Sequence, residues 1–226
     1  MVGQLICAPR GRGRGEPGRL YGLPVLRTEV DRSGFWGEHR LRRAARALRL
    51  GGALRVLTPQ GFAGWPVLEA FGLRRVDPEN FVRAQSVPLA LEALARQGVA
   101  PDRATVALRG VRADREMART AAELCSKVRR LVVDAPRGGE ELAQWLRREF
   151  GVPILPAKEV GQTALRFQEG CAAPEEATLD LFGPRPGLGG LTLAAPGLAG
   201  EDRENLPLLT VLWEGGRLAP EDIKIT

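Results

Sequence analysis

The chain is poor in the residue types that most catalytic and metal-binding motifs need. Its 226 residues include one histidine, His39, and three widely spaced cysteines, Cys7, Cys125 and Cys171. Because no C-x-x-C pair is present, the sequence predicts neither a disulfide framework nor a zinc site. We therefore expect no bound metal, and we expect Cys125 to pack as a small apolar side chain.

The usual motifs of hydrolases and nucleotide triphosphatases are also missing. The sequence contains no G-x-S-x-G, no H-E-x-x-H and no Walker A loop. His39 is the single candidate for a general base near neutral pH, and it has no identifiable partner acid. The catalytic residues stay unknown, and the sequence does not decide whether the protein is an enzyme. We interpret three acidic pairs as helix starts and exposed turns: Glu140-Glu141, Glu175-Glu176 and Glu221-Asp222.

Long hydrophobic runs are absent as well. No apolar stretch approaches the roughly 18–20 residues that span a bilayer. The apolar run near the N-terminus is too short for a signal peptide, and its charges lie on the wrong side. These features predict a soluble cytoplasmic protein without a membrane partner.

Lysine is scarce, whereas arginine is abundant. Lys127, Lys158 and Lys224 are the only lysines, yet Lys and Arg together number 33 against 27 acidic residues, for a net charge of +6. A pI near 10.0 is typical of nucleic-acid-binding proteins. Because alanine, glycine and proline are abundant too, we favour the composition of a GC-rich genome over a functional basic patch.

The most regular stretch runs from Ala104 to Leu155 and alternates short apolar strands with amphipathic helices. Three segments are predicted as strands: Thr105–Leu108, Leu131–Val133 and Val152–Leu155. The helical stripes between them are formed by Met117, Ala121, Leu124 and Val128, and then by Leu142, Trp145 and Leu146. Such a βαβαβ pattern indicates a parallel sheet with right-handed crossovers.

The flanking segments extend this unit into a larger α/β protein. Further strands are predicted at Gln4–Ala8, Leu23–Val30, Leu54–Leu57, Thr178–Phe182, Leu191–Ala194 and Leu208–Trp213. Helices are predicted at Glu38–Leu50, from about Trp65 to Phe71, after a capping Ser86, and within Lys158–Glu169. We predict a Rossmann-like three-layer sandwich with a mostly parallel sheet and antiparallel strands added near the C-terminus.

The predicted domain organisation has a boundary near residue 85. Residues 1–85 form an N-terminal α/β segment with a basic Gly/Arg-rich loop, and residues 86–226 form the Rossmann-like domain. The alternative is one continuous domain.

Two arginine-rich segments support a function of a different class. Arg10, Arg12, Arg14 and Arg19 lie among glycines in Pro9–Arg19, which is predicted to be a mobile loop. The helix Glu38–Leu50 carries Arg40, Arg42, Arg43, Arg46 and Arg49 around its apolar stripe of Leu41, Ala44, Ala45 and Leu48. These arginines suit a nucleic-acid or protein-interaction module. We favour solvated surfaces instead, because arginine stems often cover the edge of an apolar stripe.

The leading functional hypothesis follows from the strand ends. Open parallel sheets bind ligands beyond the carboxyl ends of their strands, where helix N-termini offer free N–H groups to an anion. We therefore predict a small anionic ligand or nucleotide as the partner of this edge. Its ligand-binding residues would be Thr58, Gln60, Gly61, Arg109, Gly110, Arg112, Asp134 and Arg137.

Over roughly Ser86–Leu155 the pattern resembles dinucleotide-binding folds. Gly110 matches the first glycine of G-x-G-x-x-G, but Arg112 and Arg115 stand at the other two positions. Asp134 ends the second strand, where such folds place their ribose-binding acid. The resemblance makes NAD(P) a cofactor hypothesis with an incomplete fingerprint. A third alternative is a degenerate enzyme fold with a scaffold role, a homodimer through its C-terminal strands.

Overall fold

A computed structural model of the chain describes residues 1–175 and 177–226. The helices are α1 (Gly37–Leu50), α2 (Trp65–Ala70), α3 (Glu79–Ala84), α4 (Ser86–Arg96), α5 (Arg115–Cys125), α6 (Gly139–Phe150) and α7 (Leu206–Glu214). The strands are β1 (Val2–Cys7), β2 (Arg12–Leu20), β3 (Leu23–Val30), β4 (Arg55–Leu57), β5 (Arg74–Arg75), β6 (Thr105–Arg109), β7 (Arg130–Asp134), β8 (Ile154–Leu155), β9 (Thr163–Arg166), β10 (Ala177–Asp180), β11 (Leu193–Ala194) and β12 (Lys224–Ile225).

The chain folds into two compact units. Unit 1 comprises Met1–Asp77 and Asn205–Ala219, and unit 2 comprises Pro78–Glu204 and Pro220–Thr226. Each unit contains a five-stranded sheet, here named sheet A in unit 1 and sheet B in unit 2.

Sheet A has the strand order β2-β3-β1-β4-β5. Four of its strands are parallel, and the edge strand β2 runs antiparallel to β3. Helix α1 packs its predicted apolar stripe into the core of this unit. The buried residues of the stripe are Leu41, Ala44, Ala45 and Leu48. They meet side chains from three strands, Leu5, Leu26 and Val56 among them.

Sheet B is parallel throughout and has the order β10-β9-β6-β7-β8. Numbered along the chain from β6, this order is 5-4-1-2-3, which is the arrangement of a Rossmann-like sheet. All five residues of the central strand β6 are buried, as a strand covered on both faces requires. Helix α5 buries Met117, Ala121 and Leu124, which confirms the predicted helical stripe.

The predicted fold class is confirmed. The chain is an α/β protein with mostly parallel sheets, and β11 and β12 form an antiparallel pair that includes the C-terminal strand. Within residues 1–175 and 177–226, no helix is both long enough and apolar enough to cross a membrane.

The arginine-glycine segment is not a mobile loop, so that prediction is wrong. Residues Arg12–Leu20 form β2, the edge strand of sheet A. Gly11 and Gly13 are buried while the intervening Arg12 and Arg14 are exposed. A Cβ at Gly13 would lie 2.8 Å from the Arg40 carbonyl oxygen of α1. Gly13 therefore lets the helix approach the strand, and the arginines lie on the outer surface of the strand.

Three further predictions are corrected. The predicted strand Leu208–Trp213 lies in helix α7, where the Asn205 side chain accepts the Leu208 N–H at 3.3 Å and caps the N-terminus. The predicted helix within Lys158–Glu169 is wrong, because this segment contains strand β9. Ser86 does not cap α4, since its hydroxyl is buried against that of Thr120 at 2.7 Å.

Candidate functional site

The order of sheet B reverses direction between β6 and β9. From β6 the chain proceeds through β7 to β8 on one side, and it returns to β9 and β10 on the other. A crevice outside the carboxyl ends of two such strands is where open α/β sheets bind their ligands. In this protein those ends are Arg109 and Arg166.

The ends of β6 and β7 and the turns that follow them bring together four of the predicted ligand-binding residues. Gly110 donates its N–H to the Asp134 carbonyl oxygen at 2.9 Å. The backbones of Arg112 and Arg137 form an isolated parallel bridge, in which the Ala113 N–H reaches the Arg137 carbonyl oxygen at 2.8 Å. Arg112 and Arg137 are exposed, so their guanidinium groups are accessible beside these turns.

Gln168 follows the end of β9, and its side chain lies against the turn after β6. Its Oε1 accepts the backbone N–H groups of Val111 and Arg112 at 2.8 and 2.9 Å. Its Nε2 donates to Asp114 Oδ2 at 3.1 Å. Sequence reasoning missed this residue, because nothing in the local pattern links a glutamine after β9 to the turn after β6.

Asp114 is the N-cap residue of α5. Its Oδ1 accepts the Met117 N–H at 2.9 Å, which caps the helix. Arg83 lies 3.6 Å from Asp114 Oδ2 and forms a closer ion pair, at 2.8 Å, with Glu79. One N–H group at this helix N-terminus, that of Met117, is thus satisfied by a side chain of the protein and is not available to an anion.

The side chain of Arg109 is buried and hydrogen-bonded within the protein. Its side chain is 3% exposed, and it donates to Asp134 Oδ2 at 2.8 Å and to the carbonyl oxygens of Ala157 and Glu159 at 3.1 and 2.9 Å. Both Nε and Nη2 also bind Glu175 Oε1. All five guanidinium N–H groups are thereby used within the protein. Arg109 fastens two connecting segments to the end of β6.

Burial and ion pairing act in opposite directions on this arginine. Desolvation lowers the pKa of Arg109, but the hydrogen bonds and charges of Glu175 and Asp134 outweigh it and raise the pKa above its ordinary value. Glu175 was predicted to lie in an exposed turn, and that is wrong, because its side chain is fully buried against Arg109. Glu176, its partner in that prediction, lies outside the described residues.

The other predicted residues lie in unit 1. Thr58, Gln60 and Gly61 follow the carboxyl end of β4, and Gly61 adopts a left-handed φ of +68°. His39 is exposed in the first turn of α1, where its ring contacts that of Trp36 at 6.0 Å between centroids. The predicted ligand-binding set is therefore divided between the two units.

The buried Cys125 is not a reactive nucleophile, whereas the free thiol of Cys171 lies beside the candidate site and donates to the Gln168 carbonyl oxygen at 3.2 Å. Burial raises the pKa of the Cys125 thiol to about 11, so this thiol is protonated at neutral pH. In the part of the chain that the structure describes, no group of three or more His, Cys, Asp and Glu side chains is placed to hold a metal ion.

Comparisons with known proteins identify no family for this chain. No protein-family model matches the chain, and no curated protein matches it. Among solved structures, the chain is similar to L-tryptophan dehydrogenase from Nostoc punctiforme, with 13% sequence identity and a TM-score of 0.30. The match covers 73% of this chain and 55% of the dehydrogenase chain. Because these values are low, the Rossmann-like assignment rests on the strand order of sheet B.

Proposed function

We propose that unit 2 binds a small anionic ligand, a phosphate- or carboxylate-bearing metabolite or mononucleotide, at the carboxyl edge of sheet B. The observation that carries this proposal is the convergence of two consecutive backbone N–H groups, those of Val111 and Arg112, on one acceptor atom. Successive N–H groups that point at a common position form a concave site suited to an anionic oxygen. At present the neutral amide oxygen of Gln168 fills that position.

Ligand binding would replace this oxygen by a stronger acceptor. An anionic oxygen forms hydrogen bonds about twice as strong as a neutral carbonyl does. Arg112 and Arg137 are exposed beside the turn and supply the positive charge. Arg109 is excluded from this role, since its donors are already bound, and it serves to hold the surrounding segments.

The same geometry favours a small ligand over a dinucleotide. Arg112 and Arg115 occupy the positions at which glycines would let a pyrophosphate approach the backbone. Asp134, at the ribose-binding position, already has its Oδ2 paired with Arg109 at 2.8 Å. NAD(P) is therefore the less favoured ligand.

The test is calorimetric titration with inorganic phosphate, AMP, ADP, NAD⁺ and a set of phosphorylated and carboxylated metabolites. Gln168→Ala removes the competing oxygen, so we expect it to tighten binding of the preferred anion. Arg112→Ala/Arg137→Ala removes the charge, and we expect it to weaken binding by about tenfold or more.

Arg103→Ala/Arg148→Ala is the matched control, because it changes the net charge equally at exposed positions of the same unit. It should bind as the unaltered chain does. The proposal fails if no compound binds either the unaltered protein or Gln168→Ala, or if the control pair weakens binding as much as the Arg112/Arg137 pair does.

A further inference from the structure

Unit 1 carries a basic groove that the proposal for unit 2 leaves unused. The groove measures about 590 Å³ and runs along the edge strand of sheet A. Its charged lining consists of Arg10, Arg12, Arg14, Arg27, Glu16 and Glu29. Four arginines against two glutamates leave it positive, and Glu29 is already paired with Arg27 at 3.1 Å.

The strand is built to display these arginines. Buried Gly11 and Gly13 alternate with exposed Arg12 and Arg14, and a β-bulge lies between Arg12 and Gly15. Glu16 stands directly opposite Arg27 on β3. Because Gly11 packs against the backbone of β3 and Gly13 packs against α1, the guanidinium groups are presented on a rigid strand, which lowers the entropy lost when they bind.

A short loop connects the groove to two exposed aromatic side chains. Asp31 joins the two regions, because its carboxylate accepts the Arg10 N–H at 3.3 Å and the Ser33 N–H at 2.9 Å. The loop that begins there leads to Phe35 and Trp36, which are 93% and 63% exposed. Their rings form an edge-to-face pair with centroids 5.5 Å apart. The two rings are adjacent, and a contiguous exposed apolar patch is a feature of interaction sites.

The positive groove and the exposed rings together fit one class of partner. Proteins that bind single strands without sequence preference combine a basic groove for the phosphates with aromatic rings on which bases stack. We propose that the edge of sheet A binds single-stranded nucleic acid, with its phosphates along the arginine groove and its bases against Phe35 and Trp36. Arginine contacts phosphate and rings contact base faces, so RNA and DNA strands should bind alike.

An acidic peptide is the competing partner, and the edge strand argues against it. Peptides most often dock at a sheet edge by adding a strand. The bulge, Pro17 and the charged side chains of β2 are features that block such pairing. An acidic peptide would also leave the exposed rings without a role.

The test is fluorescence anisotropy of the full chain with two labelled 12-nucleotide single strands, oligo-dT (dT12) and oligo-U (U12), at several salt concentrations. Engagement of all four arginines predicts a slope of log K against log salt near −3 for single strands, or about a 50-fold loss of affinity from 50 to 200 mM salt. Duplex DNA of equal length should bind more weakly, since its bases are not available for stacking. Poly-glutamate should compete poorly.

Variants assign the binding to the groove and the rings. We expect Arg12→Ala/Arg14→Ala to weaken dT12 binding by about tenfold and to halve the salt slope. Phe35→Ala and Trp36→Ala should each weaken it by about fivefold or more with little change in slope. Glu16→Gln removes a negative charge from the groove and should tighten binding, an effect that misfolding would not produce.

Arg103→Ala/Arg148→Ala in unit 2 is the matched charge control and should bind dT12 as the unaltered chain does. Circular dichroism confirms that each variant is folded. The proposal is overturned if dT12 does not bind, if the control pair loses as much affinity as Arg12→Ala/Arg14→Ala, or if poly-glutamate competes as well as U12 while both ring variants bind normally.

Discussion

Arg109 links the end of β6 to several segments that are distant in sequence. Its guanidinium joins Glu175, Asp134 and two carbonyl oxygens while 3% exposed. Replacing Arg109 by Met leaves a buried carboxylate, Glu175, without its counter-charge. Breaking a buried pair in this way typically costs about 3–5 kcal/mol. We expect Arg109→Met to lower the free energy of unfolding by that amount in urea denaturation followed by circular dichroism.

The double variant Arg109→Met/Glu175→Gln separates charge from packing. Because it removes both members of the pair, it should recover part of the stability that Arg109→Met loses. An Arg109→Met protein as stable as the unaltered chain would contradict the structural role assigned to this arginine.

Asp31 gives the loop before α1 a pH-dependent stability. The side-chain hydrogen bond from Ser33 is the main cause that lowers the pKa of Asp31 below its ordinary value of 3.8, with backbone N–H groups of Ser33 and Arg10 acting in the same direction. A lowered pKa means that folding favours the ionised carboxylate. Its contribution to stability is therefore complete above about pH 4 and disappears as pH falls through the lowered pKa.

Asp31→Asn should accordingly have a lower Tm than the unaltered chain at pH 7. The difference in Tm should shrink as the pH is reduced below 3.8, because the unfolded chain then gains a proton at Asp31 while the folded protein keeps this carboxylate ionised down to the lowered pKa. Differential scanning fluorimetry from pH 7 to pH 3 measures it. A Tm difference that stays constant over this range would show that the charge of Asp31 does not stabilise the loop.

At the scale of elements, the contact between β2 and α1 depends on Gly13. This residue has a φ of +68°, and a Cβ there would lie 2.8 Å from the Arg40 carbonyl oxygen. We expect Gly13→Ala to cost about 1–3 kcal/mol of unfolding free energy. Gly15→Ala is the matched control in the same strand, since its Cβ would meet Ala47 Cβ at an ordinary 3.6 Å. Equal urea midpoints for the two variants would contradict this packing.

Elements whose burial follows from their own composition could be predicted from the sequence. β6 and β7 contain short runs of buried apolar residues, and α1 and α5 place theirs at helical spacing. The apolar positions in α1 and α5 have helical spacing, and the short runs of β6 and β7 stand between turn residues and amphipathic helices, which favours strands. The βαβαβ core and the α/β class could therefore be predicted from the sequence.

Elements defined by their neighbours could not be predicted in this way. The composition of β2 is that of a solvated loop, and it becomes a strand by pairing with β3, with Gly13 and Gly15 beside α1. Helix α7 buries five consecutive residues, Leu208–Leu212, so it shows no helical period and was predicted as a strand. Its Asn205 cap and Pro207 in the first turn were the signals that favoured a helix.

The candidate sites show the same division. The strand-end rule identified Gly110, Arg112 and Arg137, which the structure places on two adjacent, hydrogen-bonded turns. It could not reveal that Gln168 faces them, since that contact depends on β9 returning beside β6. Nor could it reveal that two carboxylates and two carbonyl oxygens use every donor of Arg109, because these acceptors lie on segments distant in sequence.

At the scale of the whole molecule, the two proposed sites belong to different units and share no strand or helix. Changes at independent sites add to within about 0.5 kcal/mol. Gln168→Ala combined with Arg12→Ala/Arg14→Ala should therefore show the anion affinity of the first variant and the dT12 affinity of the second. Calorimetry and anisotropy on the single and combined variants measure both. A coupling free energy above about 1 kcal/mol would contradict two independent sites and would instead require one ligand that depends on both.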